Sequence, residues 1–155
     1  MAASRCLLQD EPEEADYIVE ARIGTLARIR DFFTHDDGLL GISVEGTERF
    51  RICHTKSRHD GLLIADVEWL EPEPIHPVPE PYSVLVEVTR KFAEVASGEY
   101  PALDSPRLDD ASWVGFRLAE LLPMESVERQ RLLECGDAIE RLQALLNVVP
   151  PLQPE

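Results

Sequence analysis

A proline-rich segment divides this sequence into two parts with different hydrophobic periods. Residues 71–81 hold five of the chain's twelve prolines. Each proline lacks a backbone N–H and disfavours helix in the residue before it, so the segment is predicted to be a stiff, extended linker. Strands are expected in residues 17–70 and helices in residues 82–149. Residues 1–16 are expected to be a disordered acidic leader, and residues 150–155 a disordered tail.

Alternating apolar residues predict several short strands before the linker. Leu40, Ile42 and Val44 are apolar and their neighbours are not, which is the period of a half-buried strand. Gly46 then interrupts the alternation, as expected for a tight turn or a bulge. A hairpin tip is expected at residues 36–38, where two aspartates precede a glycine. Short strands with closely spaced turn signals predict a small antiparallel barrel or sandwich.

After the linker the apolar residues recur about every three and a half positions, which is typical of packed helices. Four helices are predicted, over residues 82–98, 110–122, 127–134 and 137–149. Asp109 or Asp110 is expected to cap the second helix, and Asp137, with Glu140 three residues later, the fourth. The predicted fold class is therefore α+β, with a small antiparallel β-barrel followed by a helical bundle.

Composition argues against several classes of function. Fifteen basic and thirty acidic residues give a formal charge of −15, which disfavours binding to nucleic acid. Three scattered cysteines cannot form a disulfide framework and fit a reducing compartment. No apolar run approaches the ~20 residues needed to span a bilayer, and no leader for export is visible. A soluble cytoplasmic protein that binds no membrane is expected.

Several short motifs, in order, resemble the N-terminal substrate-recognition domain of Lon proteases. The central one is Gly-Thr-Glu-Arg-Phe-Arg-Ile at residues 46–52, with strand-like flanks at residues 24–29 and 65–70. In the helical part, residues 121–134 are similar to a stretch of the family's bundle, and residues 137–142 are similar to its closing helix. The resemblance extends over residues 17–149.

The resemblance implies a PUA-like β-barrel followed by a helical bundle. The family usually opens with a strand and a first helix that are not visible here before Tyr17. The barrel is therefore expected to be incomplete at its N-terminal edge, and the chain to be truncated there. An incomplete barrel would leave a sheet edge open to pairing with another chain.

The resemblance also implies a non-catalytic module that binds unfolded or tagged polypeptides and passes them to a Lon-type ATPase. No phosphate-binding loop ending in Gly-Lys-Ser or Gly-Lys-Thr occurs, and neither Lys56 nor Lys91 lies near a glycine-rich serine segment. No enzyme activity and no cofactor are expected. An apolar groove that binds peptide is predicted around four aromatic residues, Trp69, Tyr82, Trp113 and Phe116. Aromatic residues of these types are more often found in a hydrophobic core than in a binding groove.

Charged and metal-binding residue types offer weaker candidates. Arg49 and Arg51 share one strand face and could clamp an anion, although ion pairs with nearby acids are the favoured interpretation. Cys53, His54 and His59 do not complete a tetrahedral set, so no metal site is predicted.

Two alternative functions stay open from the sequence. One is an adaptor or scaffold that binds a specific folded partner or self-associates through an open barrel edge. The other is RNA binding, because PUA-like barrels elsewhere recognise RNA, and the acidic charge of this chain argues against it.

Overall fold

The computed structural model describes residues 21–96, 103 and 106–149. The chain divides into two compact units, and the boundary falls between Pro72 and Glu73. The sheet unit precedes that boundary, and the helical unit follows it. A sheet followed by helices confirms the α+β class. The predicted leader, the tail, the strand start at Tyr17 and the helix end at Gly98 lie outside the described residues.

Three antiparallel strands form the sheet in the order β1-β2-β3. They are β1 (Ile23–Thr34), β2 (Leu40–Ser57) and β3 (Leu63–Trp69). The turns between them contain Gly38 and Gly61, whose φ angles of +84° and +83° favour glycine. The first of these turns confirms the predicted hairpin tip at residues 36–38. Within the described residues, the part of the chain predicted to form a barrel forms this open three-stranded sheet.

Gly46 lies at a β-bulge and not at a turn. The pairs Thr25–Arg49 and Ala27–Gly46 enclose one residue of β1 and two residues of β2. The extra residue in β2 shifts the register, and the strand continues beyond it. Of the two alternatives that the sequence left open at Gly46, the bulge is confirmed.

Four helices make up most of the helical unit. They are α1 (Ser83–Ala96), α2 (Ala111–Leu121), α3 (Ser126–Glu134) and α4 (Ala138–Leu146). Helix α2 contacts each of the other three. The apolar stripes predicted from the sequence meet in one core, whose largest fully buried apolar side chains are Leu85, Val114, Leu118, Leu142 and Leu145. The four predicted helices are thus confirmed in order and approximate extent.

Aspartates cap α2 and α4 at their N-termini. The Asp110 carboxylate accepts a hydrogen bond from the Ser112 N–H at 3.0 Å. The Asp137 carboxylate accepts from the N–H groups of Ile139 at 2.8 Å and Glu140 at 2.9 Å. These bonds satisfy backbone donors that have no partner within the helix, as the sequence predicted.

Stability should depend on pH through the cap at Asp137. The N–H of Glu140, together with that of Ile139, holds the pKa of this carboxyl below its ordinary value of 3.8. A lowered pKa means that the carboxylate stabilises the fold above pH 3.8 and that this contribution is lost as the pH falls through the folded-state pKa. Asp137→Ala should therefore lower the melting temperature at neutral pH, and the difference from the wild type should shrink in acid.

The matched control for this prediction is Asp137→Asn, which keeps a capping oxygen but carries no charge. Its difference from Asp137→Ala should be nearly independent of pH. Thermal melts followed by circular dichroism measure all three proteins. Equal melting temperatures of the wild type and Asp137→Ala at neutral pH would contradict the assigned role.

A buried ion pair joins the start of the helical unit to α4. Arg141 is 0% exposed, and its guanidinium donates to both carboxylate oxygens of Glu73, at 2.6 Å and 2.9 Å. The same guanidinium donates to the Leu132 carbonyl at 3.0 Å and lies 3.8 Å from the ring centre of Phe116. The Ser112 hydroxyl also donates to Glu73, at 2.6 Å. Residue 73 is thereby held against the helices.

Candidate polypeptide-binding surface

The half of the β1–β2 hairpin that contains its turn leaves large apolar side chains in contact with solvent. We call residues 31–44 the distal hairpin. Phe32 is 60% exposed, Leu40 71% and Ile42 50%, and Phe33 and Leu39 are exposed as well. Scattered apolar residues are normal on a protein surface, whereas several together on one short hairpin indicate an interaction site.

Strand register brings most of these side chains onto one face of the hairpin. Phe32 lies opposite Ile42, and Ile29 lies opposite Val44. Leu40, Ile42 and Val44 alternate along β2, so they point to the same side of the sheet, and cross-strand partners share that side. These five residues form what we call the apolar face.

The apolar face corrects the prediction of a half-buried strand at residues 40–44. Leu40 and Ile42 are exposed, and Val44 is partly buried. β3 pairs with β2 only between Phe50 and Ser57. The sequence period correctly placed the apolar side chains on one face, but it could not show whether another layer covers that face.

The distal hairpin is acidic as well as apolar. It contains three aspartates, no lysine or arginine, and His35, which gives a formal charge of −3 with the histidine neutral. The nearest basic side chain along β1, Arg30, donates to Glu45. Arg28 lies 3.8 Å from Glu48. Arg28 and Arg30 are therefore engaged by glutamates. The aspartates nearer the tip have no lysine or arginine beside them within residues 31–44.

Trp69 is the exposed member of the four aromatic residues predicted from the sequence. It is 55% exposed and lies opposite Phe50 in the sheet. The two rings meet edge to face, with centroids 5.9 Å apart. On the other side of Phe50 is Gly24, where a Cβ atom would lie only 2.7 Å from the Phe50 ring. Glycine thus leaves room for the ring that supports Trp69.

The other three aromatic residues belong to the helical unit and make contacts there. Trp113 is 9% exposed and lies in the helical core. Phe116 is half-buried beneath the Arg141 guanidinium. The Tyr82 hydroxyl donates to the Gln143 side chain at 3.2 Å. These contacts favour packing roles for Trp113 and Phe116, and the groove predicted around all four aromatic residues stays a prediction.

Arg51 forms the kind of ion pair that the sequence favoured over an anion clamp. Its guanidinium lies 3.0 Å from the carboxylate of Glu68, its cross-strand partner. Both side chains are exposed, so the pair contributes little stability. Arg49 is also engaged, and a clamp formed by the two arginines stays a prediction.

The described part of the chain contains neither a metal-binding cluster nor a helix that could span a membrane. Histidine, cysteine, aspartate and glutamate side chains form no group of three or more that could hold a metal ion among residues 21–96, 103 and 106–149. Of the helices that the structure describes, none has both the length and the apolarity needed to cross a lipid bilayer.

Sequence reasoning missed Phe32, Phe33 and Leu39 as candidate binding residues. A usable signal was present, because two apolar pairs, Phe32-Phe33 and Leu39-Leu40, flank the turn at residues 36–38. Hairpin tips normally carry polar residues, so apolar residues on both sides of a turn indicate either a covering layer or a partner.

Solved Lon N-terminal domains have a similar structure. A Lon N-terminal domain protein from Xanthomonas campestris aligns with a TM-score of 0.67 and 35% identity, over 83% of this chain and 69% of that one. The N-terminal domain of a Mycobacterium avium complex Lon protease aligns with a TM-score of 0.56 and 19% identity, over 81% of this chain and 68% of that one. The second likeness supports the fold alone.

Two full-length Lon proteases are similar in sequence. Lon protease 2 of Herpetosiphon aurantiacus is 28% identical over an alignment of 148 residues that covers 90% of this chain and 17% of that protein. Lon protease 1 of Syntrophobacter fumaroxidans is 28% identical over an alignment of 159 residues that covers 96% of this chain and 18% of that protein. The model of the ATP-dependent protease La (LON) substrate-binding domain matches residues 6–149. This chain therefore belongs to the LON substrate-binding domain family.

Proposed function

We propose that this chain is a non-catalytic module that recognises unfolded or tagged polypeptides. The observation that carries the proposal is that large apolar side chains of the sheet unit, among them Leu40, Ile42 and Trp69, are exposed to solvent in a member of a substrate-binding family. Unfolded polypeptides differ from folded ones chiefly in the apolar side chains and unpaired backbone that they expose. A surface with exposed apolar side chains on an open sheet is suited to both features.

The proposed absence of catalysis rests on the residues of the chain. No glycine-rich loop ending in Gly-Lys-Ser or Gly-Lys-Thr is present to bind a nucleotide, and both lysines lie away from any glycine-rich serine segment. The matched relatives are named Lon proteases, and this chain spans 17% and 18% of their lengths. Delivery of the bound polypeptide to a Lon-type ATPase is therefore part of the proposal.

Fluorescence anisotropy tests the proposed function. A labelled protein, kept unfolded by reduction and alkylation of its cysteines, is titrated with the chain beside the same protein in its folded form. Saturable binding of the unfolded form only is expected. Trp69→Ala should weaken it about tenfold, because tryptophan side chains are among those that most often dominate interfaces. The control is Val95→Ala, which removes an exposed apolar side chain from α1.

Two results would contradict this function. The first is a folded chain, as judged by circular dichroism, that binds no unfolded polypeptide. The second is binding of the folded form alone, which is the behaviour of a scaffold for a specific partner. Equal weakening by Trp69→Ala and Val95→Ala would remove Trp69 from the site while leaving recognition itself in place.

A further inference from the structure

We propose that the distal hairpin docks an extended polypeptide segment in which apolar residues alternate with basic ones. The inference rests on the proposed function and adds to it the place of binding and the chemistry of the segment. Its basis is the combination on one hairpin of an apolar face, an open strand edge and a set of aspartates.

The apolar face supplies the contact area. Leu40, Ile42 and Phe32 are all half or more exposed, and they are neighbours through strand pairing and alternation. A segment that covers them transfers apolar surface out of water, which is the main favourable contribution to such binding. Hydrophobic contact by itself places few limits on the sequence or direction of the segment.

An open edge of β2 fixes the direction in which the bound segment runs. β3 begins to pair with β2 at Phe50, and the Leu70 N–H donates to the Arg49 carbonyl, so within the described residues no strand lies on that side of β2 between Leu40 and Glu48. The backbone groups on this edge can form hydrogen bonds with an added strand. Successive side chains of an added strand point to opposite faces, so every second residue would meet the apolar face.

The charge of the hairpin supplies selectivity at the positions of the bound segment that do not meet the apolar face. Asp31 pairs with Ser43, which adjoins Ile42 in β2, so Asp31 lies on the face opposite the apolar one. Its carboxylate is one strand beyond β2, about 10 Å from an added strand. Asp36 and Asp37 lie in the exposed turn. Because the hairpin has no basic residue between positions 31 and 44, it favours lysine or arginine over glutamate at the alternate positions of a bound segment.

Two labelled peptides of equal length test the chemistry of the segment. Both alternate apolar and charged residues, and the charged residue is lysine in one and glutamate in the other. The lysine peptide should bind about tenfold more tightly at low ionic strength. Added salt should reduce that preference, because exposed charges about 10 Å apart are screened. The control for alternation is a peptide of the same composition in which all the apolar residues come first and all the lysines follow. This control peptide should bind more weakly than the alternating lysine peptide.

Paired substitutions test the place of binding. Leu40→Thr with Ile42→Thr removes two exposed apolar side chains while keeping residues that favour strands. It should weaken binding of the lysine peptide about tenfold. The matched control is Leu62→Thr with Leu63→Thr, which changes two exposed leucines in the β2–β3 hairpin. This control should leave affinity close to that of the wild type.

A charge variant provides a readout that does not alter the apolar face. Asp31→Asn with Asp36→Asn keeps side-chain hydrogen-bond acceptors and removes two negative charges. It should reduce the preference for lysine over glutamate about threefold. The control is Glu80→Gln with Glu94→Gln, which removes two exposed charges from the helical unit.

The outcomes separate this inference from the proposed function. Binding of unfolded polypeptide that is unchanged by the distal-hairpin variants, or that shows no preference for lysine, overturns the inference and leaves the proposed function standing. A folded chain that binds neither unfolded polypeptide nor either peptide overturns both. If the threonine pair does not fold, the peptide comparison and the charge variant still decide.

Discussion

Glu73→Gln is expected to lower the free energy of unfolding of the helical unit by about 3 kcal/mol, because removal of one partner leaves a buried charge without compensation. Glu73 and Arg141 form a bidentate pair whose side chains are 8% and 0% exposed. Glutamine can accept one of these hydrogen bonds, but it cannot balance the charge of the guanidinium. Denaturant unfolding followed by the helical circular dichroism signal measures the loss.

Two further variants separate the charge effect from simple loss of contacts. Glu80→Gln, an exposed glutamate in the same unit, should change the unfolding free energy by less than about 0.5 kcal/mol. The double variant Glu73→Gln with Arg141→Met should be less destabilised than the sum of its single changes, because it leaves no unpaired charge. Additive losses, or a Glu73→Gln protein as stable as the wild type, would contradict the assigned role of the pair.

Local signals in the sequence predicted much of this fold. The change of hydrophobic period at the prolines gave the order of sheet and helices, and the two capping aspartates, Asp110 and Asp137, were visible because a cap bonds residues two or three positions away. The hairpin tip was likewise recognisable from its own residues. These features depend on neighbours along the chain, and a single sequence displays such neighbours directly.

Contacts between distant residues could not be predicted in the same way. Arg141 bonds a carboxylate 68 positions earlier, and an arginine within an amphipathic helix would ordinarily be assigned to the solvent face. Trp69 and Trp113 are the same residue type, yet one is exposed and the other is in a core. Which of them can meet a ligand depends on the layer that packs against each, and periodicity carries no information about that layer.

The sheet unit should open far more readily than the helical unit. Among residues 21–72, only Ile23 and Gly46 are buried, whereas the helical unit contains a continuous core of buried side chains. Opening free energy follows the apolar surface that opening exposes. Amides of β1–β3 should therefore exchange with solvent at least about 100-fold faster than those of α2 and α4, a difference of roughly 2.7 kcal/mol.

Hydrogen exchange measured by mass spectrometry on the whole chain tests this difference. A fragment of residues 73–149 provides a second measurement and should retain its helical circular dichroism signal, because Glu73, Arg141 and the helical core all lie within it. Sheet amides as protected as those of α2, or a fragment that unfolds, would contradict the assignment of stability to the helical unit. A bound polypeptide that covers the apolar face should slow exchange in β2 and leave α2 unchanged, because binding stabilises the element that forms the contacts.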